Sequence, residues 1–490
     1  MVLCEPCMHT KRQQNPYIDG EMTRTKSIQD DPAIERWRGA TGGQGPRYLR
    51  IVGFIERAIA DGRLKVGDRL PPQRQLAGWL ELDLTTVTRA YAEARARQLI
   101  YARGAYGTFI AAPKVELAPI IDLGMNIPPP PAGLDFGELM KRGVEQVLTR
   151  VDANLLMTYH ANGGNKADRA AGALWLAPML GKVDPLRIAV CSGAQTALAS
   201  LIVALMQPGD GVAVEPLTYP GILTAATQLG RRIVTLECDE DGMLPDALAR
   251  ACHESAVRVV YLNPTLQNPT GHTMPEQRRR DIARVIRECQ VPLIEDDPYW
   301  RLAHRAPPPI AHWAPECVHY LSTLSKCLSP GLRTAYVVSP NDAAQARFLA
   351  AMSTWVLMPS PLMTAMTTQW MHDGTAMRML EGVATEAQAR MQLADRLLAR
   401  REQAWPSAGI HVWYNLPEPW TTQSLVLAAR AEGLAVTASD AFSAVGSDVR
   451  AIRLSLGGVR ERARLVHGLQ KLAGILARGE DAATSSRPVI

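Results

Sequence analysis

A lysine, two hydroxyl residues and an arginine follow one apolar segment of the chain. Thr323, Ser325 and Lys326 lie in the sequence STLSK, and Arg333 comes seven residues after the lysine. A lysine amine can act as a covalent nucleophile toward a carbonyl group, and an arginine can be the charge partner of a phosphate or carboxylate. This stretch therefore predicts an amine, hydroxyl groups and a second cation at the end of one strand. Taken alone, it is also compatible with an ordinary turn.

Three further polar groups follow apolar segments in the same way. Ser192-Gly193-Ala194-Gln195 is a turn of small residues that opens a helix, where backbone N–H groups and the helix dipole can hold a phosphate. Asp296-Asp297-Pro298-Tyr299 contains carboxylates at the end of a buried strand, where they need a partner. Each group alone also has an ordinary structural interpretation. The groups are Ser192-Gly193-Ala194-Gln195, Asn268-Pro269-Thr270-Gly271 and Asp296-Asp297-Pro298-Tyr299.

Apolar segments without polar alternation precede these groups, and helical stretches lie between the segments. This pattern predicts an α/β fold with a mostly parallel central sheet that is buried on both faces. In such sheets ligands bind at the carboxyl ends of the strands, which is where the polar groups fall. The predicted strands are Ile188–Cys191, Gly211–Val214, Arg232–Leu236, Val257–Leu262, Pro292–Glu295, Val318–Leu321 and Arg333–Val338.

The chain has 490 residues, of which 47% are hydrophobic, a composition that excludes a disordered or collagen-like polymer. Its net charge of +5 is confined to the segment from Pro46 to Ile110, which has eleven basic and six acidic residues, whereas the remainder has 42 of each. Such asymmetry is expected of a polyanion-binding module joined to a neutral body. An excess of this size also occurs on solvated surfaces, so charge alone does not decide between the two.

The basic segment is predicted to form three helices and a hairpin. An amphipathic helix that ends near Gly62 is followed by a second that begins at Pro71 and by a third for which Asp83 is the N-cap. The strand-like segments LIY and TFI come next, joined by a turn with two glycines. This is the plan of a winged helix-turn-helix, whose second motif helix enters the major groove of DNA. The exposed face of the third helix offers Thr85, Thr86, Thr88 and Arg89.

This segment resembles the GntR family of bacterial regulators in the sequence LPPQRQLAGWLELDLTTVTRAY and in the wing ARGAYGTFI. The resemblance implies phosphate or base contacts from Arg74, Thr86, Arg89 and Arg103. Leu84 stands where many members of the family carry an arginine, so the base preference of the family is not carried over. A helical hairpin that serves as an interaction domain is the alternative, and the wing and the local charge favour DNA binding over it.

The polar groups of the larger remainder resemble, in their order, those of the fold-type I pyridoxal-phosphate aminotransferases, from about residue 121 to the C-terminal region. N-P-T-G, D-x-x-Y and S-K-x-x-x-x-x-x-R carry the resemblance. It implies that Lys326 forms a Schiff base with the cofactor aldehyde and then acts as a general base. It also implies that Asp296, rather than Asp297, pairs with the ring nitrogen, and that Asn268 and Tyr299 hold the ring hydroxyl.

The same resemblance implies the remaining contacts. Tyr219, in PLTYPG, would stack on the ring, and Arg453, in AIRLSL, would bind a substrate carboxylate through a bidentate pair. Tyr159 would reach the phosphate of the neighbouring subunit, which makes a homodimer part of the prediction. Ala194 replaces a hydroxyl residue common in the family and leaves its backbone N–H as the donor. The residues implied around the phosphate are Gly193, Ala194, Gln195, Thr323, Ser325 and Arg333.

A GntR-type winged helix followed by an aminotransferase-like domain is similar to the arrangement of the MocR regulators. The resemblance implies a DNA-binding transcriptional regulator that carries pyridoxal 5′-phosphate and senses a small amine, an amino acid or the vitamer itself. A catalytically active aminotransferase with an accessory DNA-binding module is the competing interpretation, because the transaminase residues are present, and enzymatic turnover is left open. A structural protein that carries the cofactor and binds no DNA is the third.

The predicted organisation has four parts. Residues 1–44 form a disordered leader, 45–112 the winged helix-turn-helix, 113–120 a linker and 121–490 the pyridoxal-phosphate-dependent domain. Within the last, a large part covers about 160–375 and a small C-terminal part about 380–475.

The N-terminal segment lacks the pattern of a signal peptide, and eight scattered cysteines suit free thiols in a reducing compartment, so the protein is predicted to be cytoplasmic. Cys4 and Cys7 have no second ligand pair, and no metal site is predicted.

Overall fold

The computed structural model describes residues 32–42, 45–111, 120–160, 163–254, 257–398, 405–406, 408–446 and 448–478. The chain divides into two units, Met1–Ala118 and Pro119–Ile490. The predicted linker, 113–120, falls at this division, and its residues 113–119 lie outside the described residues, as do residues 1–31 of the predicted leader. Each unit is described by itself.

The described part of the first unit consists of helices around one apolar core and a two-stranded hairpin. Ile51, Leu76, Val87 and Tyr91 contribute buried side chains from three helices. The second of these helices ends where Glu81 adopts a left-handed backbone (φ 52°), which turns the chain into the third. The elements are α1 (Pro32–Glu35), α2 (Arg47–Ala60), α3 (Gln73–Leu80), α4 (Leu84–Ala96), β1 (Ile100–Ala102) and β2 (Thr108–Ile110).

The hairpin joins β1 and β2 in antiparallel register, with Ile100 opposite Ile110. The rings of Tyr101 and Phe109 stack across it at 5.7 Å between centroids. Three helices followed by a hairpin is the order expected from the sequence, so the winged helix-turn-helix fold is confirmed.

Part of the predicted leader is ordered. Trp37 is only 3% exposed, and its ring lies 5.5 Å from that of Phe54 on α2. Ala40 is buried in the same core. The expectation of disorder over 1–44 is therefore corrected for residues 32–42, because an indole buried against α2 fixes this stretch in place.

The second unit contains a large central sheet and a smaller one. Its strands are β3 (Ile121–Asp122), β4 (Ile188–Cys191), β5 (Gly211–Val214), β6 (Arg232–Thr235), β7 (Cys238–Asp239), β8 (Gly242–Met243), β9 (Val259–Leu262), β10 (Leu293–Asp296), β11 (Val318–Thr323), β12 (Ala335–Val338), β13 (His411–Asn415), β14 (Leu434–Ala435), β15 (Thr437–Ala438) and β16 (Ala451–Ser455). Its helices are α5 (Phe136–Arg150), α6 (Ala153–Leu156), α7 (Lys166–Leu180), α8 (Ala194–Leu205), α9 (Pro220–Gln228), α10 (Pro245–His253), α11 (Glu276–Glu288), α12 (Asp342–Ser353), α13 (Pro361–His372), α14 (Thr375–Leu398), α15 (Thr422–Ala431) and α16 (Arg462–Arg478).

The central sheet has the strand order β4-β12-β11-β10-β9-β5-β6 among the described residues. Only β12 runs antiparallel to its neighbours, and the other pairings are parallel, which confirms the mostly parallel sheet. Every residue of β4, β5, β9, β10 and β11 is buried, because helices cover both faces. The carboxyl ends of these five strands therefore lie along one edge of the sheet.

The smaller sheet has the order β13-β16-β15 and is antiparallel. Its core includes Leu454 on β16, Leu425 on α15 and Leu469 on α16. β3 pairs in parallel with β14, with Ile121 opposite Leu434, so the first strand of the unit belongs with this smaller part. No helix among the described residues is both long enough and apolar enough to cross a membrane.

Candidate cofactor site and DNA-binding surface

Lys326 follows β11 at the carboxyl edge of the central sheet and is partly buried. Its Nζ donates a hydrogen bond of 2.6 Å to the backbone carbonyl oxygen of Asn126. Burial lowers the pKa of Lys326 to about 8, the Arg453 cation acts in the same direction, and the Asp296 carboxylate opposes them. A substantial fraction of the amine is therefore unprotonated slightly above neutral pH, which is the form that attacks a carbonyl carbon.

Asp296, the last residue of β10, is buried close to that lysine. The Tyr261 hydroxyl donates to its Oδ2 at 2.8 Å, while Oδ1 has no hydrogen-bond partner among the described residues. Burial raises the pKa of Asp296 to about 7, and the hydrogen bond from Tyr261 and the Lys326 cation oppose this. One carboxylate oxygen is thus open to a proton-bearing group.

The neighbouring carboxylate has different surroundings. The hydroxyls of Thr265 and Tyr320 donate to Asp297 Oδ2 at 3.2 and 3.3 Å. Burial raises the pKa of Asp297 to about 6, and the cation that opposes this is Arg279 rather than the lysine of the site. Only one of the two adjacent aspartates is therefore coupled electrostatically to Lys326, and that one is Asp296.

Arg453, on β16, brings the smaller sheet into contact with the site. Its Nη1 donates to Asn268 Oδ1 at 2.8 Å, and its Nη2 donates to the backbone oxygen of Gly124. The guanidinium carbon lies 4.8 Å from the ring centroid of Phe442. The side chain is buried, and its Nε has no partner among the described residues. A buried guanidinium with an open donor suits a carboxylate ligand.

A cradle for an anion lies at the start of α8. Gly193 precedes this helix with φ 88°, and the helix N-terminus has no side-chain cap from the described residues. The Arg333 guanidinium lies so close that a Cβ on Gly193 would come within 2.7 Å of Nη2. That Nη2 also donates to the Ser192 carbonyl oxygen at 3.1 Å. Helix N–H groups beside a guanidinium are suited to bind a phosphate.

The other predicted phosphate contacts lie around this cradle. Ala194 is the first residue of α8, and the hydroxyls of Thr323 and Ser325 are hydrogen-bonded to each other at 3.1 Å. The Gln195 side chain accepts from the Tyr219 hydroxyl at 3.2 Å and donates to the Gly221 oxygen. Gln195 can therefore offer an anion its backbone N–H, whereas one of its two amide hydrogens is already donated to Gly221.

Asn126 and His411 are among the residues of this site that were not predicted from the sequence, as is Tyr261. The Asn126 side chain donates to the Tyr299 hydroxyl at 2.9 Å and lies 3.3 Å from His411 Nδ1. The sequence does contain one indication for His411, because it is a polar residue at the start of an apolar strand. Tyr159 is 81% exposed, and its predicted contact with a neighbouring subunit stays a prediction.

The arrangement fits pyridoxal 5′-phosphate group by group. The partly buried amine suits the aldehyde, and the open oxygen of Asp296 suits the ring nitrogen. The glycine turn with Arg333 suits the phosphate. A ligand with only one of these groups would leave the others buried and unpaired, which is costly.

The first unit presents its own candidate surface on α3, α4 and the wing. On the first turn of α4, Thr85 is exposed and Thr86 is half-buried. The Thr88 hydroxyl donates a hydrogen bond to the Gln73 side chain at 2.9 Å. The Arg89 guanidinium lies 4.1 Å from the centroid of the Tyr48 ring. Arg74 and Arg103 are exposed. A cavity of about 440 Å³ between the start of α3 and the wing is lined by residues including Arg69, Pro71, Arg74, Leu84 and Gly107.

Comparisons with known proteins cover both units. Residues 118–469 match the aminotransferase class I and II family, and residues 47–110 match the bacterial regulatory proteins of the gntR family. The HTH-type transcriptional regulator YdeF of Bacillus subtilis is 28% identical over 88% of this chain and 94% of its own length. The vitamin B6 salvage pathway transcriptional repressor PtsJ of Salmonella typhimurium is 29% identical over 85% of this chain and 96% of its own length.

A solved structure resembles the second unit. The α-aminoadipate aminotransferase LysN of Thermus thermophilus, in complex with N-(5′-phosphopyridoxyl)-L-leucine, has a TM-score of 0.66 and 27% identity over 73% of this chain and 92% of its own. The chain therefore belongs to the class I and II aminotransferase family, whose cofactor is pyridoxal 5′-phosphate, and joins to it a GntR-family DNA-binding domain in the MocR-type arrangement.

Proposed function

We propose that the chain is a pyridoxal-phosphate-dependent transcriptional regulator. It binds DNA through its first unit and senses a small amine, an amino acid or a vitamer through its second. The observation that carries the proposal is the amine of Lys326, close to the Asp296 carboxylate and the Arg453 guanidinium, in a chain that also has a basic winged helix-turn-helix. Sensing requires a site that selects its ligand chemically and a second site whose affinity that ligand changes.

The amine of Lys326 is proposed to hold the cofactor and to exchange with the ligand's amine. Bound pyridoxal phosphate supplies an aldehyde that captures amines and a ring that withdraws electrons from the attached carbon. The Lys326 amine would be the base that takes a proton from that carbon. Asp296 Oδ1 would accept the N–H of the ring nitrogen, and the raised pKa of this carboxyl lets the proton be shared.

The remaining residues would fix the orientation of the cofactor. Gly193 and Arg333 would hold the phosphate with the backbone N–H groups that begin α8 and the hydroxyls on Thr323 and Ser325. The Tyr219 ring would cover one face of the cofactor ring. Two donors, the Asn268 amide and the hydroxyl on Tyr299, would serve the ring oxygen.

Arg453 would select a ligand that carries a carboxylate. It is buried, its Nε has no partner among the described residues, and Asn268 accepts from its Nη1, so an incoming carboxylate would meet an oriented guanidinium. Amino acids are favoured as effectors on this ground. The name of the relative PtsJ concerns vitamin B6 salvage, which supports vitamers of the cofactor as further candidates.

A homodimer in the cytoplasm is part of the proposal. The exposed ring of Tyr159 is proposed to reach the phosphate site of the neighbouring subunit. Two winged helices in a dimer would bind two operator half-sites, and a ligand that changes their arrangement would change the affinity for DNA.

Turnover as an aminotransferase is the second candidate function. The bond between Arg453 and Asn268 beside the Lys326 amine, and the likeness to LysN, favour a complete transamination half-reaction. The two candidates share the same residues, so only kinetics and DNA binding distinguish them.

The experiment adds candidate amino acids to the cofactor-loaded chain and records the visible spectrum and the mobility of DNA from its own upstream region. A covalent ligand complex that stalls and changes DNA binding supports the sensor. Repeated release of keto acid at ordinary enzyme rates, without any change in DNA binding, would refute it. DNA binding should also weaken with salt, as phosphate contacts require.

A further inference from the structure

Asn126 and His411 join three distant parts of the second unit at the site. Asn126 is 5% exposed and follows β3, whereas His411 is 1% exposed and begins β13 of the smaller sheet. Tyr299 and Lys326, which they reach, belong to the large part. Neither Asn126 nor His411 has a role in the function proposed above.

The geometry around His411 fixes which ring nitrogen carries the proton. Nε2 lies 3.2 Å from the backbone oxygen of Gln267, which can only accept, so Nε2 is the protonated nitrogen. Nδ1 is then an acceptor, and it lies 3.3 Å from the Asn126 amide nitrogen. Burial lowers the pKa of His411 to about 3, with Arg453 and Lys326 acting in the same direction, so the ring stays neutral. His411 thus provides an acceptor without adding a positive charge to the site.

Asn126 uses both of its amide hydrogens as donors in this network. One hydrogen points to His411 Nδ1, and the other is donated to the Tyr299 hydroxyl oxygen at 2.9 Å. Its backbone oxygen accepts from Lys326 Nζ at 2.6 Å. One residue therefore contacts both the amine and the tyrosine that are proposed to hold the cofactor.

The direction of the bond to Tyr299 has a consequence for its proton. Because Asn126 donates into the hydroxyl oxygen, the O–H of Tyr299 must point to another acceptor. Burial raises the pKa of Tyr299, so the proton is retained. The hydroxyl of Tyr299 is thereby kept as a donor for the ring oxygen of the cofactor.

A purely structural role for His411 would require only that its ring be buried and neutral, and would not require its hydrogen bonds at the site. The chain has a second buried histidine, His319 on β11, which is 1% exposed and whose Nδ1 has no partner among the described residues. Burial lowers the pKa of His319 to about 4, so it is neutral as well. Burial and neutrality therefore do not require the bonds that His411 makes at the site.

We propose that His411 is a positioning residue that holds Asn126 and, through it, orients the Lys326 amine and directs the proton of Tyr299 toward the cofactor. This inference rests on the proposed function, because it takes Lys326 and Tyr299 as cofactor contacts. A phenylalanine at 411 would fill similar space and provide no acceptor, whereas a glutamine would offer an amide oxygen to Asn126.

The test compares His411→Phe, His411→Gln and the matched control His319→Phe in the full chain freed of cofactor. Pyridoxal 5′-phosphate is added, and the visible absorbance follows the bond between the Lys326 nitrogen and the aldehyde carbon, whose oxygen leaves as water. His411→Phe removes the bond to the Gln267 oxygen and the acceptor for Asn126, and loss of the latter is expected to slow this capture about three- to tenfold. The absorbance maximum of that variant should also shift, because the donor bond from Tyr299 is no longer directed.

His411→Gln should recover most of the capture rate and the original maximum, and His319→Phe should match the wild type in both. Equal capture rates and maxima in His411→Phe and His319→Phe would overturn the inference. If His411→Phe does not fold, Asn126→Ser takes its place, and a wild-type rate and maximum in that variant would overturn the inference in the same way. Failure of the wild type to capture the cofactor would instead refute the proposed function.

Discussion

Replacing Gly193 with alanine would test whether the turn before α8 is the phosphate site. This glycine has φ 88° and ψ 166°, a backbone conformation essentially confined to glycine. An added Cβ would lie 2.7 Å from Arg333 Nη2 and 2.9 Å from its Cζ, so the guanidinium would have to move. The substitution therefore adds backbone strain and displaces the proposed charge partner of the phosphate.

A second glycine separates these two effects. Gly181, which follows the last residue of α7, has φ 72° and ψ −148°, and a Cβ there would meet no atom of the described residues within 4 Å. Both alanine variants should lose about 1–3 kcal/mol of unfolding free energy to the strained backbone. Only Gly193→Ala should also lose a charge-assisted bond from Arg333 to the phosphate, about 1.5–3 kcal/mol. At about 1.4 kcal/mol for each tenfold change, its affinity for pyridoxal phosphate should fall about 10- to 100-fold.

The assay is a titration of each cofactor-free variant with pyridoxal 5′-phosphate, followed by visible absorbance, together with urea unfolding of the same samples. The expected result is similar destabilisation of the two variants and weakened binding in Gly193→Ala alone. Wild-type cofactor affinity in Gly193→Ala would refute the assignment of the phosphate to Gly193 and Arg333. A loss of affinity of the same size in both variants would refute it too, because backbone strain rather than displacement of Arg333 would then govern binding.

Three further outcomes are expected. Lys326→Ala should abolish the visible absorbance of the covalently bound cofactor, and a normal yellow form in that variant would contradict the assignment. Capture of the cofactor by the wild type should accelerate as the pH rises, with a midpoint near pH 8, because the lowered pKa of Lys326 leaves more free amine above that pH. A midpoint above pH 10 would contradict the lowered pKa of this amine. Arg89→Ala should weaken DNA binding and reduce its salt dependence by about one phosphate contact, while the cofactor spectrum stays intact. The control Arg95→Ala, at the other end of α4, should have less effect on DNA binding. Unchanged DNA binding in Arg89→Ala would contradict the role of this residue.

The sequence predicted well those residues whose position follows from regular structure. Asp296 ends β10 and Lys326 follows β11, two neighbouring strands of a sheet that was recognisable from unbroken apolar segments, and in such a sheet parallel strands end at one edge. The α3–α4 pair was predictable from local signals as well: Asp83 is the N-cap of α4 as expected, whereas α3 begins at Gln73, two residues after the predicted start at Pro71. Local signals and one topological rule were sufficient for these features.

Residues placed by long-range packing were missed. Asn126 lies 285 positions from His411, and no local periodicity links a segment after β3 to a strand of the smaller sheet. The burial of Trp37 was missed because its neighbours are polar, although the ring packs on Phe54. In each case the partner was set by how elements pack in three dimensions rather than by spacing along the chain.

The backbone of residues 124–126 is hydrogen-bonded to two charged side chains of the site. Two of the site's cations donate to this one segment, Arg453 to the Gly124 oxygen and Lys326 to the Asn126 oxygen. A ligand carboxylate on Arg453 and a cofactor aldehyde on Lys326 would each compete with one of these bonds, so filling the site would release the segment from two contacts. The segment follows β3 directly, and β3 follows the residues that lead from the winged helix-turn-helix. Under the proposed function, a change that begins at the bound ligand would therefore reach the backbone next to β3; amide exchange at residues 123–127 that stays the same on cofactor binding would contradict this.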